Sequence, residues 1–233
     1  MSHAQTPIAV VVPIAAGDRI SPRLYSQLLS GLPDEVRLHL VCAQSDDIDR
    51  QADGLPSSSR AHWLSAPPGR ASQQNAGAHA APENVYLWFV HADSQLHDTT
   101  LPALLRFVRS GTQALGYFDL RFLNDGPALT RINAAGAWVR SRALHMPFGD
   151  QGLVLPSAAF TKLGGFNPEL PCGEDHDLVW RARQSGLALR ALRAPLYTSA
   201  RKYARLGWLR TTCQHLLITA RQARRFSKAG QRA

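Results

Sequence analysis

The chain has little cysteine and no long hydrophobic run. Its three cysteines among 233 residues, Cys42, Cys172 and Cys213, are far apart and odd in number. They argue against a disulfide framework and against a zinc site, which needs clustered ligands, so a reducing compartment is the simplest interpretation. No stretch approaches the roughly 20 apolar residues that span a bilayer. The apolar run at residues 8–16 contains Pro13 and lacks a charged leader, so we expect no signal peptide.

Two common nucleotide-binding signatures are also absent. The sequence has neither the Walker phosphate loop nor the Rossmann glycine pattern. It shows no internal repeat and no low-complexity segment. With 45% hydrophobic and 18% charged residues, the composition is that of a globular protein. Its length fits one large domain, or a domain with a short extension.

Acidic residues are missing from position 201 onward. That segment holds nine of the 26 Lys and Arg residues and none of the 17 Asp and Glu residues, which leaves 17 of each sign in residues 1–200. Such a basic block attracts anionic lipid, nucleic acid or a phosphorylated ligand, unless it is simply solvated. It also carries an apolar stripe at helical spacing, formed by Leu206, Leu209, Cys213, Leu216, Leu217 and Ala220. The stripe predicts a helix that lies on an anionic membrane or packs on the core with a solvated end.

The first half of the chain alternates strand-like and helix-like patterns. Strands are predicted at residues 8–12, 36–42, 63–64 and 84–90, and helices from Ser21-Pro22 to Gly31, over 69–80 and over 99–109. The polar residues 46–59 are predicted to form a loop. This alternation indicates an α/β fold with a mostly parallel sheet.

The second half has a different pattern. Residues 116–122 alternate in the period of a half-buried strand. Short strands are predicted at 153–155 and 189–192, with a helix over 174–185 that Gly186 ends. We therefore expect a nucleotide-binding half at residues 1–95 and an acceptor-shaping half at 96–200, without a linker between them.

Asp93 is a candidate metal ligand. It follows the apolar run 84–90, and in open parallel sheets ligands lie beyond the carboxyl ends of the strands. A carboxylate there suits Mg²⁺ or Mn²⁺, with phosphate oxygens of the ligand completing the coordination. An ordinary turn residue is the alternative interpretation.

Two glycine-containing segments are candidates for substrate binding. Gly69-Arg70, followed by Asn75, could present an arginine and an amide to a phosphate or a sugar. Asp150 and Gln151 lie between glycines just before a short apolar run. A surface helix and a turn are the respective alternatives.

A third segment places carboxylates at the start of a predicted helix. Glu174, Asp175 and Asp177 follow Gly173, where they can cap the helix and interact with its dipole. A carboxylate that faces a bound sugar from this position can also act as a general base. His176 is interpreted as a neighbour of this site and not as a ligand.

Taken together, these residues resemble glycosyltransferase family 2, the nucleotide-diphospho-sugar transferase superfamily, and within it a bacterial subgroup of small, little-characterised members. The matching segments run in the family order and cover most of the chain: IAVVVPIAAG (8–17), GRASQQNAGAHAA (69–81), VYLWFVHADSQL (85–96), GYFDLRF (116–122), MPFGDQGLVLPSAAFTKLGGF (146–166), GEDHDLVWRARQSG (173–186) and TSARKYARLGWLRTT (198–212). The resemblance implies a single-domain GT-A type fold with a mostly parallel central sheet flanked by helices. Residues 1–200 would be the catalytic domain and 201–233 a basic C-terminal helical extension.

The resemblance also implies roles for particular residues. His91-Ala92-Asp93 stands where the family carries its Asp-any-Asp metal motif, so Asp93 would reach the Mg²⁺ or Mn²⁺ on the nucleotide diphosphate. Glu174 and Asp175 match the family's Glu-Asp pair, and Asp175 would deprotonate the acceptor hydroxyl. Arg70 matches a basic position near the nucleotide.

Two further segments receive roles in the same way. Arg201 lies in the late basic motif and would meet the diphosphate. The segment from Gly149 to Gly152, with Asp150 and Gln151, would line the acceptor or donor-sugar side.

The implied activity is transfer of a sugar from a nucleotide-diphospho-sugar to an acceptor hydroxyl. One in-line displacement would invert the anomeric carbon, with a single base and no carboxylate nucleophile. We expect the enzyme in the cytoplasm or bound peripherally to the inner face of the membrane, where the basic tail would bring it to a lipid-linked acceptor.

One departure from the family pattern concerns the nucleobase. Many relatives have an Asp after the second strand, whereas this chain has Cys42, and Asp46 or Asp47 would have to compensate. A non-catalytic nucleotide-sugar-binding protein is therefore the main alternative. A sugar-phosphate nucleotidyltransferase would need a glycine-rich loop with an Arg after the first strand, and a nucleic-acid-binding protein would need a recognised motif or a basic stripe on the body. The sequence shows none of these features.

Overall fold

The computed structural model describes residues 8–45 and 47–229, with side chains described as far as Gln222. Asp46, one candidate to replace the nucleobase carboxylate, lies outside these residues, as do the last four residues of the basic extension. The eight strands are β1 (Ile8–Ile14), β2 (Arg37–Cys42), β3 (Ala61–Ser65), β4 (Tyr86–Phe89), β5 (Gln95–Leu96), β6 (Ala114–Phe122), β7 (Val154–Pro156) and β8 (Ala188–Thr198). The α-helices are α1 (Pro22–Gly31), α2 (Asp47–Ala52), α3 (Arg70–His79), α4 (Thr100–Arg109), α5 (Thr130–Ala143), α6 (Ser157–Lys162), α7 (Glu174–Gln184), α8 (Arg201–Leu206) and α9 (Trp208–Ala229).

All eight strands form one sheet in the order β3-β2-β1-β4-β7-β6-β8-β5. The expectation of a mostly parallel sheet is wrong, because the sheet is mixed. β7 is antiparallel to both β4 and β6, and β5 is antiparallel to β8. Parallel pairs join β1, β2, β3 and β4 on one side and β6 to β8 on the other. A short buried strand has the same apolar pattern in either direction, so the sequence does not show that β7 runs against its neighbours.

Helices cover both faces of the sheet, which explains the continuous apolar run of β1. Val10, Val12 and Ile14 pack in a core cluster with side chains of α1 and α4. Ala9 and Val11 pack on the opposite face with side chains of α3, α6 and α7. Every residue of β1 is buried.

Two local signals in the sequence have clear counterparts in the structure. Ser21 caps α1, since its Oγ accepts a hydrogen bond from the N–H of Leu24. In α3, a Cβ at Gly77 would lie only 2.5 Å from Cγ1 of Val11, so this glycine lets the helix approach the sheet closely. That close approach fixes where the first residues of α3 lie.

Two local predictions were wrong, a loop over 46–59 and a half-buried alternation along the strand at 116–122, and one helix was missed. The segment 46–59 contains the helix α2, whose first turn carries Asp47 and Asp49. β6 is buried on both faces as far as Phe118 and alternates only near its end. α5 was not predicted at all, because small and apolar residues lie on both its inner and its outer side.

The C-terminal helix α9 confirms the predicted helical spacing, but its apolar stripe faces solvent. Leu209, Leu216 and Leu217 are 67%, 65% and 59% exposed. The helix is held from its other side, where Thr211 is fully buried. No helix among the described residues is both long and apolar enough to cross a membrane.

Candidate active site

A cleft of about 840 Å³ opens at the carboxyl ends of β1, β2 and β4. Its floor and walls come from the loops that follow those strands, from the N-terminal ends of α3 and α7 and from the start of α8. The lining residues are Pro13, Ala15–Arg19, Ala43, Pro68–Gln73, His91–Asp93, Pro168, Leu170–Glu174 and Arg201. A cleft of this size and position is where open α/β sheets bind their ligands.

Asp93 lines this cleft as the sequence predicted. Burial raises the pKa of its carboxyl, while Arg201 and Arg70 act in the opposite direction and Asp18 adds to the increase. His91, two residues earlier, has a buried Nε2 with no hydrogen-bond partner. Burial and the charge of Arg70 lower the pKa of His91 to about 3, so its imidazole is neutral.

Arg70 and Glu174 meet at the junction of two helix N-termini. Arg70 is the first residue of α3 and follows Gly69, whose φ of 127° favours glycine. Glu174 is the first residue of α7. Nη1 of Arg70 lies 3.3 Å from Oε1 of Glu174, and the Glu174 side chain is 8% exposed while that of Arg70 is 49% exposed. The arginine therefore pairs with the acidic end of α7 and still reaches the cleft.

Asp175, the predicted base, lies beside the same arginine. Nη1 of Arg70 donates to Oδ2 of Asp175 over 3.5 Å, and Oδ1 of Asp175 is buried without a partner. Burial raises the pKa of the Asp175 carboxyl to about 7, although Arg70 acts in the opposite direction. A carboxyl with a pKa near neutral can both accept and release a proton at physiological pH. Among the described residues, Asp175 does not line the cleft itself. It contacts Arg70, which does.

The glycine-flanked segment forms a 3₁₀ turn, Gly149–Gln151, directly against Asp175. A Cβ on Gly149 would collide with the carboxyl group of Asp175. Asp150 has a buried Oδ1 without a partner. Burial raises the pKa of Asp150, and Arg140 and Arg70 oppose that increase. Asp150, Asp175 and Arg70 thus belong to one electrostatic cluster.

Asn75 and Gln151 make contacts that differ from those expected of substrate ligands. Nδ2 of Asn75 donates to the carbonyl of Phe166 over 2.8 Å, and its Oδ1 accepts from the N–H of Phe166 over 2.9 Å. Gln151 is fully buried and donates to the carbonyl of Phe118 over 2.8 Å. Both amides hold backbone segments together, so neither enters the function proposed below.

Arg201 lies at the edge of the cleft as the first residue of α8. Its Nε donates to Oγ of Ser199 over 2.9 Å and lies 3.9 Å from Oδ2 of Asp125. Its side chain is 76% exposed. It is therefore exposed to a ligand in the cleft, and the diphosphate contact that the resemblance implies stays a prediction.

Three residues near the site were not singled out in the sequence: Arg140, Phe148 and Tyr203. Cζ of Arg140 lies 3.2 Å from the centre of the Phe148 ring, and that ring lies 3.4 Å from the ring of His176. Burial, followed by the charge of Asp150, raises the pKa of Tyr203 to about 12. Arg140 belongs to α5, and only recognition of that helix would have drawn attention to it.

Cys42, the last residue of β2, is a buried thiol. Burial raises its pKa to about 11, so it stays neutral and supplies no charge. Ala43, the next residue, lines the cleft. The side of the cleft after β2 is thus apolar at this point.

The described residues do not hold a divalent cation without help from a ligand. Within 8–45 and 47–229, no three His, Cys, Asp or Glu side chains form a group that could hold a metal by themselves. Mg²⁺ is often held by one or two carboxylates together with substrate phosphates. Asp93 fits that arrangement, with the ligand's diphosphate supplying the other oxygens.

No protein-family profile matches the chain, and no curated protein matches it. Among solved structures it is similar to S. aureus TarS. Residues 1–349 of TarS match at 15% identity over 82% of this chain and 60% of that one, with a TM-score of 0.61. The complex of the same fragment with UDP gives 16% identity, 83% and 60% coverage and a TM-score of 0.61. The complex with UDP-GlcNAc gives 15% identity, 82% and 58% coverage and a TM-score of 0.57.

These similarities concern the fold. The chain spans about 60% of the length of the TarS fragment. At 15–16% identity, what the chain shares with TarS is the mixed α/β fold. The roles of individual residues in the cleft stay predictions.

Proposed function

We propose that this protein is a metal-dependent glycosyltransferase that moves a sugar from a nucleotide-diphospho-sugar to an acceptor hydroxyl with inversion. The observation that carries the proposal is that Asp93, Arg70 and Glu174 line one cleft and that Asp175 lies directly behind Arg70. Asp93 follows β4, Arg70 begins α3, and the acidic pair Glu174 and Asp175 begins α7. A metal-binding carboxylate, a cation for phosphate and a carboxyl base are the groups that this transfer needs.

The proposed reaction is a single displacement. The acceptor oxygen attacks the anomeric carbon, the bond from that carbon to the diphosphate oxygen breaks, and the nucleoside diphosphate leaves with the bonding electrons. Asp175 takes the proton of the acceptor hydroxyl as the new glycosidic bond forms. Its pKa of about 7 makes it a far better base than an ordinary aspartate.

Arg70 has two tasks in this proposal. It pairs with Glu174 and Asp175 in the ligand-free protein, and its half-exposed side chain can turn toward the diphosphate. Arg201, at the other edge of the cleft, adds a second positive charge. Both stabilise the negative charge that develops on the departing group.

Asp93 would hold the cation together with oxygens of the diphosphate. A Mg²⁺ or Mn²⁺ bound there supplies Lewis-acid stabilisation of the leaving group. His91 is neutral and buried, so Asp93 is the carboxylate of its tripeptide that is available for this role.

The comparisons support the donor class. TarS has been solved in complex with UDP and with UDP-GlcNAc, which favours a nucleotide-sugar in the corresponding cleft of this chain. The acceptor is proposed to be a hydroxyl compound, and a lipid-linked one if the protein works at the inner face of the membrane.

A thermal-shift screen tests the proposal. UDP-, GDP- and dTDP-sugars are added with and without Mn²⁺ to the wild type and to Asp93→Ala. One donor class should raise the melting temperature by about 5–10 °C at 100 times its dissociation constant. The increase should need Mn²⁺ and should be lost in Asp93→Ala.

The matched control is Asp98→Ala, since Asp98 is an exposed aspartate just after β5 that does not line the cleft. It should keep the full ligand-induced increase. Absence of any increase with all three donor classes would contradict the proposal. A metal-dependent increase in melting temperature without release of nucleoside diphosphate on prolonged incubation would favour the non-catalytic nucleotide-sugar-binding protein. The neutral side chains of Cys42 and His91 are consistent with that alternative.

A further inference from the structure

The exposed large hydrophobic side chains gather on one part of the molecule. Among the residues whose side chains are described, all of them lie in two short ranges, 129–144 and 206–218. They are Leu129, Ile132, Trp138, Val139, Leu144, Leu206, Leu209, Leu216, Leu217 and Ile218, with exposed fractions from 38% to 67%. We call this set the α5–α9 surface. Exposed apolar side chains that are concentrated in a few segments often mark a binding surface.

Two hydrogen bonds join the two helices into one surface. Nδ2 of Asn133 on α5 donates to Oγ1 of Thr212 on α9 over 3.0 Å. Nε1 of Trp208 on α9 donates to Oδ1 of the same asparagine over 2.6 Å. The two helices therefore touch at Asn133, one residue along the chain from the exposed Ile132.

The outer side of α5 is apolar although its inner side is already packed. Tyr117 of β6 donates to the carbonyl of Ser141 over 3.0 Å, and Ala134 and Ala137 are buried. Ile132 and Val139 lie two turns apart on the opposite side and are 58% and 51% exposed. Nothing in the folding of this domain requires apolar side chains at those two positions.

The charged residues within α5, α8 and α9 are all basic. No Asp or Glu occurs between Gly126 and Gly149 or after Asp177. Exposed cations lie on all three helices: Arg131 on α5, Lys202 and Arg205 on α8, and Arg210 and Arg221 on α9. An apolar centre with cationic surroundings and an exposed tryptophan is the arrangement that binds an anionic lipid interface.

We propose that the α5–α9 surface docks the protein on an anionic membrane, with α5 and α9 lying in the interface and their apolar side chains inserted among the lipids. A second copy of the chain is a poorer occupant. A symmetric dimer through this surface would bring two sets of cations together without acidic partners. A membrane rich in anionic lipid supplies the missing negative charge.

The inner side of α5 links this surface to the cleft. Arg140, on that helix, donates to the carbonyl of Met146 over 2.9 Å and stacks on Phe148, immediately before the turn that contacts Asp175. Docking would therefore hold the acceptor side of the site close to the lipid, which favours a lipid-linked acceptor. That last step rests on the proposed function, whereas the membrane surface itself does not.

Co-sedimentation of the full chain with vesicles tests the surface without any turnover. Vesicles of phosphatidylcholine with 30% phosphatidylglycerol, a composition chosen for the test, should bind the wild type, and pure phosphatidylcholine should bind it much more weakly. Ile132→Ser combined with Leu216→Ser should lower the partition coefficient on the order of tenfold or more, because two apolar side chains no longer insert. Circular dichroism should show that this variant is folded, since both positions are exposed.

A pair of charge variants separates a local surface from general attraction. Arg131→Ser with Arg210→Ser and Arg23→Ser with Arg109→Ser lower the net charge equally, but Arg23 and Arg109 lie on α1 and α4. The first variant should bind anionic vesicles about tenfold more weakly, and the second should bind nearly as the wild type does. Equal losses in both variants, or no vesicle binding by the wild type, would overturn the proposal.

Insertion of the apolar side chains into the lipid can be measured separately by tryptophan fluorescence. Lipids brominated in the acyl chain should quench the tryptophan fluorescence of the wild type, and Trp138→Phe should lose most of that quenching. Analytical ultracentrifugation of the lipid-free protein completes the test. A dimer that Ile132→Ser with Leu216→Ser dissociates, together with unchanged fluorescence on brominated vesicles, would assign the surface to self-association instead.

Discussion

Arg70 and Asp175 are 105 residues apart in sequence and face each other at the wall of the cleft, with 3.5 Å between Nη1 and Oδ2. Despite this contact, burial keeps the pKa of the carboxyl at about 7. The protein therefore holds a carboxylate in a position that disfavours its charge. Such a group costs stability and is typical of a functional site.

Asp175→Asn is expected to be more stable than the wild type at alkaline pH. The folded-state pKa of about 7 lies above the value of about 3.9 for an unfolded aspartate. The folded protein thus binds this proton more tightly, and the stability contributed by Asp175 is lost as the pH rises from about 4 to 7. Asparagine cannot ionise. Its advantage over the wild type should grow by about 1–2 kcal/mol between pH 5.5 and pH 8, or about 2–6 °C in melting temperature.

Thermal melts of both proteins at the two pH values check this prediction. Asp177→Asn provides a control on the same helix, since Arg181 pairs with Asp177 over 2.6 Å and no increase in stability is expected from losing that pair. If the wild type instead gained stability over Asp175→Asn at pH 8, Arg70 would outweigh burial and the carboxyl would be an ordinary paired aspartate.

Arg70→Met is expected to raise the pKa of Asp175 above 7, because the opposing positive charge is removed. The stability difference between Arg70→Met and the double variant Arg70→Met/Asp175→Asn should then keep changing above pH 7, where the corresponding difference in the wild-type background levels off. Arg70→Lys keeps the charge and should resemble the wild type. If the stability difference in the Arg70→Met background levelled off at the same pH as in the wild-type background, Arg70 would not influence the pKa of Asp175.

Much of the cleft could be predicted because its residues are encoded locally. Asp93 follows a buried strand, Arg70 follows a glycine that begins α3, and Glu174 begins α7. Strand ends and helix starts of this kind are readable from the apolar pattern and from glycine positions. The carboxyl ends of strands lie at one edge of a sheet, so even their proximity could be expected.

The rest depended on contacts between distant segments. The direction of β7 follows from its pairing with β4 and β6 and not from its own three residues. α5 has no single apolar face, because Ala137 packs inward while Val139 points outward. Since α5 went unrecognised, so did Arg140 behind the site and the apolar surface beside it.

The contacts of Asn75 also depend on a distant segment. The variant Asn75→Ala distinguishes a substrate-binding role of this side chain from a structural one. The sequence predicts a substrate contact, whereas the structure shows two hydrogen bonds to the backbone of Phe166. We expect the variant to lose about 1–3 kcal/mol of stability, because the buried backbone groups lose their partner. The increase in melting temperature caused by a bound nucleotide-sugar should be unchanged.

His79→Ala is the control for that experiment, since His79 is exposed at the end of the same helix and should affect neither quantity. Chemical denaturation and the thermal-shift assay are read on all three proteins. A variant Asn75→Ala with wild-type stability and no ligand response would restore the role predicted from the sequence.

Gly149→Ala tests whether the turn before β7 leaves space for the base. A Cβ at Gly149 would collide with the carboxyl of Asp175, whereas a Cβ at Gly136 on α5 would meet nothing within 4 Å. Gly149→Ala should therefore lower the free energy of unfolding by about 1–3 kcal/mol, and Gly136→Ala should be neutral or stabilise its helix by up to about 1 kcal/mol.

The decisive measurement is a double-mutant cycle. In the background of Asp175→Ala the carboxyl is gone, so most of the cost of Gly149→Ala should disappear and reveal a coupling of about 1–2 kcal/mol. An unchanged cost in that background would show that Gly149 is needed for the turn itself and not for the position of Asp175.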